Sequence, residues 1–201
     1  PNPNPTTGDD DSANLDYTTE NAASWGNYMV QVSSLLRTDA ANLYSAWTES
    51  YENGPAFATS FKAHNGGDYS SALSCVEQII EGCADIANEV GTAKIGDPYD
   101  LYASGQTQRA LYAVESWYSW HSREDYANNI YSIRNSYYGT LDGTVSSASL
   151  SELVKASDPA LDSKMKKAIS DAATSILAIP QPFRNNINSR EARIAMTACA
   201  D

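Results

Sequence analysis

The chain has 201 residues, with 25 acidic and 13 basic side chains and a formal net charge of −12. This acidic balance argues against a nucleic-acid-binding surface, because phosphates need clustered Lys and Arg. Hydrophobic residues make up 42% of the chain, which excludes a disordered protein. No apolar stretch approaches the roughly 20 residues of a membrane helix, and no signal peptide is visible. We therefore expect no transmembrane helix, and a chain that is cytosolic or already processed.

Residues 1–16 contain three Pro and four Asp without an apolar period, and are predicted to be a flexible leader or linker. Residues 17–201 are predicted to form one helical domain, since apolar residues recur at three-, four- and seven-residue spacings. Two stretches, Pro55–His64 and Gly91–Gly105, are predicted to connect helices. The predicted helices run from Thr18 to about Trp47, Tyr69 to Val90, Gln106 to Tyr138, Ser149 to Ala156, Pro159 to just before Pro180, and Ser189 onward.

No strand pattern of useful length is visible, so the predicted class is all-α, with helices long enough for an up-and-down bundle. Asp158 followed by Pro159 is a typical helix start, because the carboxylate caps the first free N–H groups and Pro fits the first turn. Gly139 is predicted to end the helix before it.

Cys75 and Cys83 lie eight residues apart on one predicted helix. Their Cα atoms would be roughly 12 Å apart, which is too far for a disulfide. Either could pair with Cys199, or all three could be small buried hydrophobic residues, and the sequence does not decide between these alternatives. The absence of a Cys-x-x-Cys pair argues against a structural zinc site.

A polar stripe is predicted on the helix that runs from Gln106 to Tyr138. His121, Asp125, Asn128 and Ser132 continue one side of this helix, and Asn129 lies beside them. The apolar residues of its second half fall on another side: Tyr126, Ile130, Ile133 and Tyr137. Bundle proteins build metal and ligand sites from such inward polar stripes, although a solvated surface has the same pattern. The argument requires one unbroken helix through residues 119–122.

Candidate metal ligands follow from this stripe. A hard cation would be bound by Glu124 and Asp125, whereas iron or zinc would be bound by His121 with a carboxylate. One helix does not complete such a site, so at least one ligand must come from elsewhere. Glu89 is the first candidate, because it flanks an acidic stripe near the buried face of its helix. Ser119 or Ser122 with His121 and an Asp would suit a hydrolase on paper, but no nucleophile-elbow motif is present.

The block from Ser119 to Gly139 resembles the imelysin family. The similar positions are Ser119, Ser122, Asp125, Asn129, Ile133, Asn135, Tyr137 and Gly139. Asp85–Glu89 and the turn at Pro180–Phe183 also resemble the family, and the likeness extends from about Trp25 to the end. Imelysins are longer and pair two four-helix bundles that face each other. The resemblance therefore implies one four-helix-bundle half, the second, plus connecting helices.

The family's Gly-x-His-x-x-Glu motif belongs to its first half and is missing here. His121-x-x-Glu124 copies the spacing, with Ser119 where Gly would stand. The resemblance implies an extracytoplasmic bacterial protein, periplasmic or lipid-anchored at the cell surface, that is linked to iron uptake. It also implies a partner, the missing first half of the same protein, and an iron-containing ligand.

Three functions are compatible with these observations. The first is an iron-uptake protein in which this chain forms one wall of a site between two bundles. Its lining would be Glu89, Ser119, Ser122, Asp125, Asn129 and Asn135, with iron or zinc as the metal. The second is a zinc metallopeptidase, which needs three protein ligands and a general base. The third is a structural helical module whose polar stripe packs on the missing half.

Overall fold

The computed structural model describes residues 21–67, 69–116 and 119–200, and throughout these ranges the regular structure is helical. The helices are α1 (Ala22–Thr48), α2 (Phe57–Ala63), α3 (Ala72–Asn88), α4 (Asp97–Ala103), α5 (Thr107–Ala113), α6 (Ser122–Tyr138), α7 (Leu150–Ser157), α8 (Pro159–Leu177) and α9 (Arg190–Ala200). A π-helical segment, Glu89–Gly96, joins α3 to α4, and a short 3₁₀ turn lies at Phe183–Asn185. The all-α prediction is confirmed. The predicted leader at residues 1–16 lies outside the described residues.

The chain divides into two compact units at Gln78 and Ile79, inside α3. In the first unit, α2 packs on α1. The contact is aromatic: the ring centroid of Phe57 lies 4.8 Å from that of Trp47 and 5.6 Å from that of Tyr69. The stretch predicted as a mere connection between helices thus contains a helix, because its aromatic residues need a partner surface.

In the second unit, α8 packs against α6, α7 and α9, and α9 packs on the π segment. The apolar side predicted for the later part of the third long helix is confirmed, since all four of its residues are buried: Tyr126, Ile130, Ile133 and Tyr137. The predicted cap is confirmed as well, because the side chain of Asp158 accepts hydrogen bonds from the N–H groups of Ala160 and Leu161. Gly139 ends α6 with φ 72°.

The prediction of a loop at Gly91–Gly105 is wrong, because this stretch is helical. Its first part can stay helical because α9 approaches it closely. A Cβ atom on Gly91 would lie 3.0 Å from Cys199 Cβ, and one on Gly96 would lie 2.9 Å from the carbonyl oxygen of Gly91. Gly91 therefore acts as a packing residue against a helix whose inner positions are also small, at Ala192 and Ala195, and Gly96 lets the π segment close on its own preceding turn.

The prediction of one continuous helix from Gln106 to Tyr138 is also wrong. Helix α5 ends at Ala113, and α6 begins at Ser122. Between them Val114 is extended and buried, while Ser116 and Trp120 have positive φ angles of 59° and 63°. Non-glycine residues in this region are strained and persist only where the surroundings hold them.

All three cysteines are free thiols. Cys75 and Cys199 are buried and Cys83 is half-buried, so the alternative of small hydrophobic residues describes them and pairing with Cys199 does not occur. Burial raises the pKa of the Cys199 thiol to about 11. Among the described helices, none is both long and apolar enough to cross a membrane.

Candidate functional site

A polar cluster lies where the π segment faces the start of α6, and its central residue is Lys94. The Nζ atom of Lys94 lies 2.9 Å from Glu115 Oε2 and 3.6 Å from Glu89 Oε1. It also donates a hydrogen bond of 3.1 Å to the Oδ1 atom of Asn129. We call Glu89, Lys94, Glu115, Ser116, Asp125 and Asn129 the Lys94 cluster. It contains two of the predicted metal ligands and one further predicted ligand-binding residue.

The π-helical geometry explains why Glu89 and Lys94 meet. In an α-helix, side chains three or four residues apart share a face, whereas a π-helix bonds each residue to the fifth one along. Glu89 and Lys94 are five residues apart and both lie in the π segment. Sequence analysis missed Lys94 because it assigned this residue to a loop.

Lys94 is a fixed cation in this cluster. Its side chain is only 15% exposed, and burial by itself would lower its pKa. The hydrogen bond and charge of Glu115, together with the charge of Glu89, outweigh this effect and raise the pKa of Lys94. The ammonium group is therefore protonated at neutral pH and neutralises part of the carboxylate charge around it.

The strained turn before α6 supplies the other half of the cluster. Ser116, held at positive φ, donates a hydrogen bond to Asp125 Oδ2. Ser122 is buried, and its hydroxyl donates to the carbonyl oxygen of Glu115 at 2.5 Å. The break that separates α5 from α6 thus brings Glu115 and Ser116 against the first turn of α6, which one straight helix would not do.

His121 lies just before α6, whereas the sequence placed it inside a continuous helix together with Asp125. It is an exposed residue that caps α6 through its backbone, since its carbonyl oxygen accepts from the N–H of Asp125 at 2.9 Å. Ser119 lies exposed in the turn, and its hydroxyl donates to the carbonyl oxygen of Ser116 at 3.4 Å. Ser119 thus touches the Lys94 cluster through the backbone of Ser116, and the roles of Ser119 and His121 as ligands stay predictions.

Glu124 forms its contacts with neighbouring side chains outside the Lys94 cluster. It pairs with Arg123 at 2.6 Å and accepts a hydrogen bond from the side-chain amide of Gln181. Burial acts to raise the pKa of Glu124, but the hydrogen bonds and charge of Arg123, with donation from its own backbone and Gln181, bring it below its usual value. Arg123 also donates to the carbonyl oxygens of Leu177 and Ile179, which ties the start of α6 to the end of α8.

Asn135 lies six residues beyond Asn129 on α6, roughly 9 Å along the helix. Its Oδ1 atom accepts two hydrogen bonds from Arg134, at 3.0 and 3.3 Å. It is therefore engaged at another place on the helix than the Lys94 cluster, and its role in ligand binding stays a prediction.

The donor set does not by itself fit a metal ion. Within the ranges that the structure describes, no three His, Cys, Asp or Glu side chains are close enough together to hold one. Glu89 faces Lys94, Asp125 accepts from Ser116, and Glu124 pairs with Arg123. Any metal held here would need further ligands from outside the described residues.

Comparison with known proteins places this fold. The Imelysin family model matches residues 6–201, and the chain belongs to this family. It is similar to a crystal structure of an imelysin peptidase from Bacteroides ovatus, with 63% identity and a TM-score of 0.91. That match covers 94% of this chain and 53% of the other.

Two further relatives carry a different name. A putative iron-regulated protein A precursor from Parabacteroides distasonis is 35% identical with a TM-score of 0.79, over 87% of this chain and 52% of the other. Iron-regulated protein A from Synechococcus elongatus is 23% identical over 180 residues, which are 89% of this chain and 48% of the relative. The chain thus spans about half the length of the relatives it matches, and the predicted family is confirmed.

Proposed function

We propose that this chain is one half of an iron-associated imelysin-family protein and that the Lys94 cluster forms one wall of a cation or ligand site closed by a second helical bundle. The observation that carries the proposal is the charge of this cluster. Two carboxylates, Glu89 and Glu115, lie at the ammonium group of Lys94, and a third, Asp125, joins the cluster through Ser116, the residue after Glu115. The cluster keeps an excess of two negative charges. This excess favours binding of a cation such as iron, or of a ligand that contains such a cation.

The position of the cluster supports a binding role. Strained backbone is concentrated at functional sites, and the turn that presents Ser116 contains two such residues. The π-helix is rare in proteins, and where it occurs it is often found at a functional site. Both irregular elements meet at Lys94 and Glu115, which supports a binding role over a purely structural one.

Helix α1 supports the presence of a second bundle. It has 27 residues, none of them buried, and it exposes a series of large apolar side chains: Tyr28, Met29, Val30, Val32, Leu35, Leu36, Leu43, Tyr44 and Trp47. Soluble proteins rarely leave so much contiguous apolar surface uncovered. We infer that the other half of the protein, to which the relatives' greater length corresponds, covers this helix.

Two names among the relatives bear on the activity. Those called iron-regulated protein A support an association with iron, and we infer from them and from the family resemblance an extracytoplasmic location. The relative called an imelysin peptidase supports the alternative of a zinc metallopeptidase. Zinc would supply an activated water in that case, and this chain would contribute carboxylates such as Asp125 to hold or orient it.

Metal binding tests the proposal. Iron and zinc are titrated, and metal content is measured by elemental analysis, on this chain and on a protein extended to the length of its relatives. We expect stoichiometric metal only in the extended protein, with loss in Asp125→Asn. The matched control is Asp171→Asn, an exposed carboxylate on α8 that pairs with Lys167.

Absence of metal from the extended protein, or full retention in Asp125→Asn, would contradict a metal site at this cluster. Peptide hydrolysis that requires the bound metal would support the peptidase alternative. Fractionation of the cells that produce the protein tests the location, and recovery in the cytosolic fraction alone would contradict it.

A further inference from the structure

A separate pocket of about 260 Å³ lies between α6, α8 and the loop that follows α6. Its polar lining consists of Tyr131, Arg134, Tyr138, Lys166, Ser170 and Thr174, and the remaining lining residues are Gly or apolar. No Asp or Glu lines it, although the chain has 25 acidic and only 13 basic residues. The pocket therefore presents two cations and several hydroxyl groups in a protein that is acidic elsewhere.

The guanidinium group of Arg134 is held in a defined place. Its Cζ atom lies 4.7 Å from the ring centroid of Tyr131, and Asn135 accepts two hydrogen bonds from it. The loop closes on it from the other side, since a Cβ added to Gly143 would lie 3.4 Å from Nη1. Among the described residues, no carboxylate forms an ion pair with Arg134.

Lys166 is the second cation and is only partly neutralised. Its Nζ atom lies 2.8 Å from Asp162 Oδ2, so one of its three protons is used outside the pocket lining. The ammonium group also lies 5.9 Å from the ring centroid of Tyr138. The ammonium group thus lies beside Tyr138, another lining residue of the pocket, and two further N–H groups stay available for an incoming acceptor.

We propose that this pocket binds the carboxylate or phosphate group of a small molecule. A fixed guanidinium fork, an ammonium group and the hydroxyls of Ser170 and Thr174 provide the donors that such oxyanions accept. The pocket is slightly smaller than the roughly 300–1,000 Å³ of sites for drug-sized ligands, which fits a small anion. This site is distinct from the Lys94 cluster, and its failure would leave the proposed function untouched.

The test uses amide NMR spectra of the chain, titrated with citrate and, separately, with inorganic phosphate. We expect saturable shifts, at up to about 10 mM anion, that are confined to amides of α6, α8 and the loop around Gly143. A response to citrate alone assigns a carboxylate ligand, a response to phosphate alone assigns a phosphate ligand, and a response to both supports the shared chemistry.

Two variants locate the site. Arg134→Gln is expected to weaken binding about tenfold or more, because it removes a charge-assisted hydrogen-bond donor. Arg109→Gln makes the same change at an exposed position on α5 and is expected to bind as the original chain does. Thr174→Glu places a carboxylate in the pocket and is expected to abolish binding while leaving the spectrum folded.

The proposal is overturned if neither anion produces saturable shifts in the original chain. It is equally overturned if Arg134→Gln or Thr174→Glu, with folded spectra, binds the anion as tightly as the original chain.

Discussion

Replacing Gly96 by Ala tests how closely the π segment packs on its own preceding turn and on Met196 of α9. The added Cβ would lie 2.9 Å from the backbone oxygen of Gly91 and 3.4 Å from the sulfur of Met196. Overpacking of this kind typically costs about 1–3 kcal/mol. The helix-propensity gain from Gly to Ala offsets up to about 1 kcal/mol. We therefore expect Gly96→Ala to lower the free energy of unfolding by about 1–2 kcal/mol.

The matched control is Gly82→Ala on α3, in the same compact unit, where an added Cβ meets nothing within 4 Å. There only the propensity gain applies, and we expect a stabilisation of about 0.5–1 kcal/mol. Urea unfolding followed by circular dichroism compares the two variants with the original chain. If Gly96→Ala proved as stable as Gly82→Ala, the tight contact with the carbonyl of Gly91 would not exist, and the packing argument would be refuted.

Three further predictions follow from single contacts. Lys94→Gln removes the ammonium group that competes with a metal ion for Glu89, so the affinity of the extended protein for Zn²⁺ should rise about fivefold. Lys94→Arg keeps the positive charge and should not raise this affinity. Calorimetry that showed no gain in Lys94→Gln would contradict a cation site here. The hydrogen bond from Lys166 holds the pKa of Asp162 below its usual value against burial, so this carboxylate stabilises the fold above the unfolded-state pKa of about 3.9 and loses that effect as pH falls through the folded pKa. In Asp162→Asn, acid unfolding should lack the loss of stability that protonation of Asp162 causes in the original chain. If stability depended on acidic pH in the same way in both proteins, this role of Asp162 would be refuted. Burial raises the pKa of the Cys199 thiol to about 11, whereas Cys83 is only half-buried. Iodoacetamide should therefore modify Cys83 before Cys199 in the folded chain. Mass spectrometry that found both thiols alkylated at the same rate would contradict the burial of Cys199.

Local patterns in the sequence predicted the helices whose signals lie within one or two turns. The apolar spacing of Ile130, Ile133 and Tyr137, the cap at Asp158 and the stop at Gly139 each act on neighbouring backbone groups, and each prediction is confirmed. The set of metal ligands proposed from the polar stripe stays a prediction. In this chain, its carboxylates form contacts with other side chains.

The sequence contains a signal of the break between α5 and α6, but this signal is ambiguous. In the sequence, the apolar positions before the break, such as Val114, are out of phase with those after it, such as Tyr126, and this pattern also fits two faces of one helix. In the structure each segment buries its own apolar side, and the helix is interrupted between them. A phase change in the apolar period is compatible with both arrangements, so it did not identify the break.

The sequence by itself determined the all-α class, the family and most helix bounds, because these depend on periodicity, caps and a motif that are all local in the chain. Only the tertiary structure decided that Glu89 faces Lys94, that Ser116 reaches Asp125, and that Arg134 and Lys166 share one pocket. The physical reason is that a π segment and a strained turn are each unfavourable in isolation. The π segment exists because α9, which is far away in the chain, packs on its glycines. The strained turn exists because buried residues such as Val114 and Ser122 anchor it.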